Sequence, residues 1–240
     1  MEQRTVLSLG PVGGELNRHR ILECFGSSGA PGRRQALDGP PIDSGTGMKA
    51  AQGAGGLPPF CRGDHDLNPG MLPRRPLVPA AVLVPLLERP EGITVLLTRR
   101  TDHLHVHAGQ ISFPGGRVDP GDADAIDTAL REAEEEVGLP RERVTPIGRL
   151  DTYVTRTGFE VTPVVGLVDP PAAFASDPFE VAEVFEVPLG FVVDPANHRR
   201  DSRVYAGALR HFYVLPWRHY YIWGATAGML VNLAEVLRQS

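Results

Sequence analysis

Residues 131–139 read REAEEEVGL, and four of these nine residues are glutamates. They end the clearest helical pattern in the chain, DADAIDTALREAEEEVGLP at 122–140, where Asp122 or Asp124 can cap the start and Gly138 with Pro140 the stop. Successive helical residues turn by about 100°, so with Glu132 as origin Glu136 falls near ~40° and Glu135 near ~300°. Those three carboxylates share one stripe. Ile126, Leu130, Ala133 and Val137 fall between about 100° and 160° and form the adjoining core face, while Glu134, near ~200°, faces solvent.

Acids at i, i+3 and i+4 repel, by a few tenths of a kcal/mol per exposed pair, roughly, and by more when partly buried. Arg131 can serve one carboxylate bidentately, and a hard divalent cation, which prefers carboxylate oxygens, can satisfy the others. A merely solvated acidic face fits the helix equally well. The preceding loop decides between them. FPGGRVDPGD at 113–122 delivers a glycine pair into the helix start, where backbone groups can approach a phosphate or offer a carbonyl to a metal.

The rest of the chain sets the frame. The 240 residues suffice for one substantial domain with an appendage. A net charge of -5 leaves no basic stripe for nucleic acid. Cys24 and Cys61 have neither disulfide-framework nor zinc spacing, which suits a reducing compartment. The most apolar run, VPAAVLVPLLE at 78–88, is shorter than the ~20 residues a membrane helix needs, and the N-terminus shows no signal pattern. A cytoplasmic protein, with neither nucleic acid nor a membrane as partner, is expected; a homodimer is left open.

Residues 1–70 hold about half of the 27 glycines and little periodicity, so they are expected to be a Gly/Pro-rich, largely disordered extension with one short helix near Glu15–Phe25. A start codon assigned too early is an alternative. Residues 71–240 are expected to form the folded domain. PLVPAAVLVPLLE and ITVLLTRR read as strands around a RPEG turn, and QISF, VTPIGRL, FEVTPVVGLV, EVFEVPL, SRVYAGAL and HFYVLPW as further strands. ATAGMLVNLAEVLRQ closes the chain as a helix. Strands on either side of a central helix predict an α+β chain, an α/β/α sandwich with a mixed sheet.

The stretch Gly116–Leu139 resembles the box of the Nudix hydrolases, Gx5Ex7REUxEExGU with U aliphatic. REAEEEVGL fits its second half, with Ala133 as the small apolar residue; Asp122 stands where the first Glu is expected, and eight residues rather than seven separate it from Arg131. LLTRRTDHLHVHAGQISFPGG at 96–116 resembles the segment of the coenzyme A pyrophosphatase subgroup, LLTxR(S/A)xxxRxxxGxxxFPGG, a subgroup that tolerates the longer loop and the Asp. Leu96, Leu97, Thr98, Arg100, Gly109, Phe113, Pro114, Gly115 and Gly116 match; Thr101 and His105 depart from it. The likeness runs over about Pro76–Leu237.

The resemblance implies a Nudix-type α/β/α sandwich and a Mg²⁺- or Mn²⁺-dependent hydrolase of the diphosphate in coenzyme A or acyl-CoA, a small-molecule substrate. Glu132, Glu135 and Glu136 are the implied metal ligands, with the Gly115 carbonyl, and Arg131 orients Glu132 or its neighbour. The base is Glu132 itself or a residue of DPFEVAEVF, Glu180 or Glu183; Arg131, Glu132, Glu135 and Glu183 make up the implied catalytic set. Arg99, Arg100, His105, Gly109 and Gly116 are the implied substrate contacts. His103, His105 and His107 alternate, so in a strand they would share one face, toward phosphate, a metal or solvent. Tyr220, Tyr221 and Trp223 can stack on adenine or sit in the core. Two alternatives remain: a Nudix hydrolase of another nucleoside diphosphate derivative such as ADP-ribose, which the His105 departure favours, and a Nudix-fold sensor without turnover, against which the retained glutamates and the lack of a helix-turn-helix pattern argue.

Overall fold

A computed structural model describes residues 16–26, 61–71, 76–102, 109–170, 174–205 and 207–238. In chain order the elements are α1 (Arg18–Gly26), β1 (Cys61–Gly63), β2 (Val78–Arg89), β3 (Gly92–Arg100), β4 (Ile111–Ser112), β5 (Gly115–Arg117), α2 (Ala125–Val137), β6 (Val144–Arg149), β7 (Thr152–Val154), β8 (Phe159–Val168), β9 (Val181–Pro188), α3 (Leu189–Val193), β10 (Arg199–Tyr205), β11 (Ala208–Trp217), β12 (Tyr220–Trp223) and α4 (Gly224–Arg238).

The main sheet is mixed, as the alternation of strands and helices predicts. β2 runs parallel to β8 and antiparallel to β3, and β3 pairs antiparallel with β9. A second sheet contains β10, β11 and β12 in that order.

The continuous apolar run of β2 has a physical reason: both of its faces are covered. Ala81, Leu83 and Leu87 pack on one side with Ala125, Ala129, Ala133 and Val137 of α2. Ala80, Val84 and Leu86 pack on the other with Leu189 of α3 and Leu230 and Leu233 of α4. Strand alternation thus sorts one sequence run into two cores. Burying side chains of this size stabilises the fold by ~1.5–3 kcal/mol each relative to exposure.

The expected short helix near Glu15–Phe25 is found as α1. It buries Ile21 and Cys24 completely against the α4 core, and its Phe25 ring covers Gly148, where a Cβ would meet Phe25 Cδ1 at 2.5 Å. β1 joins the main sheet by parallel pairing with β7. Both pieces lie inside residues 1–70, read from sequence as an extension; residues 1–15 and 27–60 of that segment fall outside the described ones.

SRVYAGAL, expected as one strand, is a hairpin. Gly207 at φ 76° permits the reversal between β10 and β11. YYIW forms β12 directly before the last helix. Among the described residues no helix is long and apolar enough to cross a membrane.

Candidate functional site

Asp124, not Asp122, caps α2: its carboxylate accepts from the amides of Ile126 at 2.8 Å and Asp127 at 2.9 Å. Gly138 ends the helix in the left-handed conformation at φ 64°. Ala133 and Val137 lie in the core as the helical count predicts, Ala129 joins them, and Ile126 and Leu130 pack at the margin. Glu134 is exposed.

Asp122 is instead freed for a second task. Its side chain is 4% exposed and takes the Arg131 guanidinium bidentately, Nε and Nη2 each at 2.9 Å. The Asp119 amide and the Thr128 hydroxyl also donate to it, at 2.9 and 2.8 Å. The Arg131 hydrogen bonds hold its carboxyl far below the usual carboxylate range. The remaining nitrogen of Arg131, Nη1, reaches Glu132 at 2.9 Å and Glu135 at 3.1 Å, while Nη2 also meets the Arg117 carbonyl at 3.2 Å. One guanidinium therefore locks the loop before α2 to two residues of its acidic stripe.

The loop glycines explain the close approach. β5 lies antiparallel on β2, so a Cβ on Gly115 would strike the Ala81 carbonyl, and one on Gly116 would strike the Glu132 carboxylate. Only glycine lets Glu132 lie against that strand. Its carboxyl is pushed up by burial, with the Arg131 hydrogen bond opposing.

Glu136 is the most enclosed of the four, its side chain 6% exposed. The Gly115 amide donates to it at 3.3 Å, and Arg100, at the end of β3, stands 3.6 Å away. Burial pushes its carboxyl up to about 8, although Arg100 and the Gly115 amide pull the other way; Glu132 and Glu180 add repulsion. Arg100 also reaches Glu180, at 3.7 Å. Glu132 and Glu180 thus lie near enough to repel Glu136, and Arg100 offsets that repulsion and the burial only in part.

That donor set fits a hard divalent cation, which would relieve burial and repulsion together. Glu135 is drawn toward Arg131 and is 60% exposed, and among the described residues no three Asp, Glu, His or Cys side chains converge closely enough to form a ligand cluster. The Gly115 amide rather than its carbonyl is the group observed at Glu136.

The structure separates some residues that the sequence grouped. Arg99 and Glu183 face each other across β3 and β9, on the face that carries Leu97 and Phe185 and packs on α4, opposite to α2. Glu183 accepts from the Tyr220 hydroxyl at 2.6 Å and from Arg99 Nε at 3.3 Å, and its carboxyl is lowered, first by Tyr220. It is not brought to the glutamates of α2, whereas Glu180 is. Tyr220 stacks on Phe185 with centroids 3.7 Å apart, and Trp223 packs edge-on against Phe212, so both have protein partners; Tyr221 is exposed and bonds Asp201. Gly109 has φ 67°, and a Cβ there would lie 2.8 Å from Asp102 Oδ1. His103, His105 and His107 lie outside the described residues.

Two features carried no sequence signal: the Asp122–Thr128 contact and the Arg100 bridge between Glu136 and Glu180. The bridge links residues far apart in the chain, and only pairing of β3 with β9 brings them together.

The model of the NUDIX domain matches residues 77–205. The Nudix hydrolase NudL of Yersinia enterocolitica is 46% identical over 162 residues, covering 65% of this chain and 80% of that protein. Among solved structures, the Ap4A hydrolase of C. elegans in a binary complex aligns with 47% of this chain and 81% of its own, at 24% identity and a TM-score of 0.40. The NUDIX domain of Shewanella oneidensis NrtR complexed with ADP ribose aligns with 50% of this chain and 78% of its own, at 20% identity and a TM-score of 0.39. With a family model spanning just over half of its length and a relative this similar over most of that relative's length, the chain belongs to the Nudix hydrolase family.

Proposed function

We propose that this chain hydrolyses the diphosphate of coenzyme A or its thioesters, giving 3',5'-ADP and the 4'-phosphopantetheine or its acyl form. The observation that carries the reading is the meeting of two motifs: Arg100, from the LLTRR segment, stands over Glu136 of the box and reaches Glu180. The segment that resembles the coenzyme A subgroup thereby borders the carboxylates expected to serve the chemistry.

Glu132 and Glu136 are the first candidates to hold Mg²⁺ or Mn²⁺, with Glu135 and the Gly115 carbonyl as further ligands. When bound, such a cation neutralises diphosphate oxygens and lowers the pKa of a water molecule. Arg131 keeps Glu132 against the glycine loop. Glu180 is the better-placed proton acceptor beyond the box, because Glu183 is engaged by Tyr220 and Arg99 on the opposite face. Arg100, with His105, is assigned to the substrate's phosphates; Arg99 belongs to this supply only if the substrate reaches the α4 face. A cytoplasmic location belongs to the same proposal, on the cysteine usage and the lack of a signal pattern in the sequence.

His105, where the subgroup's second arginine is expected, keeps a second reading in view: a related diphosphate such as ADP-ribose. Purified protein with Mg²⁺ or Mn²⁺, offered coenzyme A, acetyl-CoA and ADP-ribose, tests both. Release of 3',5'-ADP from coenzyme A is expected; turnover of ADP-ribose alone overturns the assignment.

A further inference from the structure

β10 is the edge of the three-stranded sheet, and every one of its residues, RRDSRVY at Arg199–Tyr205, is exposed. β11 covers one side of it only. Val204 is 68% exposed, Tyr205 54%, Leu209 56% and Tyr221 47%, so four of the six large apolar side chains exposed among the described residues gather on this one small sheet. An edge of this length with apolar neighbours invites pairing with another strand.

We infer that β10 pairs antiparallel with β10 of a second copy of this chain, about a twofold axis through Ser202. The sequence selects that occupant. Centred on Ser202, the strand is complementary to itself: Asp201 falls opposite Arg203, Arg199 opposite Tyr205, and Arg200 opposite Val204. No arginine faces an arginine, and all seven residues pair. Moving the axis one residue toward the N-terminus sets Asp201 against its own copy and Arg199 against Arg203; one residue the other way sets Arg203 against itself. Like charges directly opposite disfavour both registers.

In the single chain the Ser202 amide bonds the exposed Asp201 carboxylate at 2.7 Å; self-pairing exchanges that bond for a backbone carbonyl of the second copy and releases Asp201 to face the opposite arginine. Outward groups at Arg200, Ser202 and Val204 give about six strand-to-strand hydrogen bonds in the self-pair, and Asp201 and Arg203 then occupy the position where side chains of opposite strands come closest. Each isologous pair is made twice by the symmetry. The inference is independent of the substrate assignment, since none of these residues belongs to the glutamate site.

Sedimentation velocity on the full chain across micromolar concentrations tests it. A concentration-dependent dimer is expected; D201R, which sets arginine against arginine, should raise the dimer Kd about tenfold or more, and D201R/R203D should return it to within about threefold of the parent. A parent chain that stays monomeric, a D201R dimer of unchanged Kd, or a double variant that stays dissociated would each overturn the proposal. Because D201R also removes the Tyr221 bond, S202C gives a second reading. A cysteine on the axis should join to its own copy under mild oxidation, and absence of that cross-linked dimer, with the chain folded by circular dichroism, rejects the register.

Discussion

Arg131 meets Asp122, Glu132 and Glu135 at 2.9–3.1 Å, whereas Arg100 stands 3.6 Å from Glu136 and 3.7 Å from Glu180. The first arginine is saturated. Its carboxylate partner Asp122 sits deep below the ordinary range, with a bidentate fork, an amide and a hydroxyl all on one group. The second leaves its buried partner short of charge, and Glu136 is pushed up to about 8. Two arginines among acids thus do opposite things: one braces a loop to a helix, and the other leaves a buried carboxylate only partly neutralised.

Breaking the brace should have the largest effect. R131M strands Asp122, 4% exposed, without a counter-ion, and an uncompensated buried charge costs ~3–5 kcal/mol. Chemical denaturation should show that loss, and D122N/R131M should recover part of it because the stranded charge is gone. If R131M unfolds at the parent's midpoint, the brace is not structural.

The incompletely neutralised site should respond in the opposite sense. E136Q is expected to lower turnover by about 10³-fold, several kcal/mol of barrier, while leaving the metal-free chain as stable as the parent or more so. In chelator, the pH dependence checks the cause. Glu136 ordinarily titrates near 4.5 and in the folded chain near 8, so between those values the folded state holds a proton that the unfolded state has released. Stability of the parent should therefore fall as pH rises from 4.5 through 8. E136Q should flatten that slope, and Mg²⁺ should oppose it in the parent by favouring the ionised form. A melting temperature that rises with pH across that window would contradict the burial argument.

Gly116 tests how closely the two regions are coupled. In G116A the new methyl falls on the Glu132 carboxylate, which must swing away. Displacement of a catalytic carboxylate by about 1 Å can cost ~10²-fold in turnover. Unfolding measurements should change little by comparison, since a part-exposed side chain can move.

How far the sequence carried these assignments follows from what each depends on. The acidic stripe was legible because helix geometry alone orients Glu132, Glu135 and Glu136, and the metal reading came from the glycine loop beside them. The two-faced burial of β2 was legible in its unbroken apolar run. The task of Asp122 was not, because Asp122 and Asp124 are equally good caps by residue type, and only the three-dimensional position of Arg131 separates them. The β10–β11 hairpin was missed because Gly207 sits in a run that otherwise looks like one strand. Glu180 and Glu183 were indistinguishable for a simpler reason. They lie three residues apart around the start of β9, and which of them faces α2 depends on the register with β3, including its irregularity between Arg99 and Arg100.

That register gives the finest test. Glu180 reaches Arg100 on the α2 face, while Glu183 is tied to Tyr220 and Arg99 on the α4 face. A general base contributes ~10²–10⁴-fold, so E180Q should lower turnover by about 10² with little change in KM. E183Q should leave turnover within about threefold. Y220F removes one hydrogen bond worth ~0.5–1.5 kcal/mol and frees Glu183; because burial of the phenol and the Glu183 bond both raise the Tyr220 pKa, E183Q should move that tyrosine's titration downward even where activity is unchanged. If E183Q instead abolished turnover while E180Q spared it, the α4 face would have to reach the substrate. Arg99, Glu183 and Tyr220 would then pass from a surface clasp to the second wall of the site.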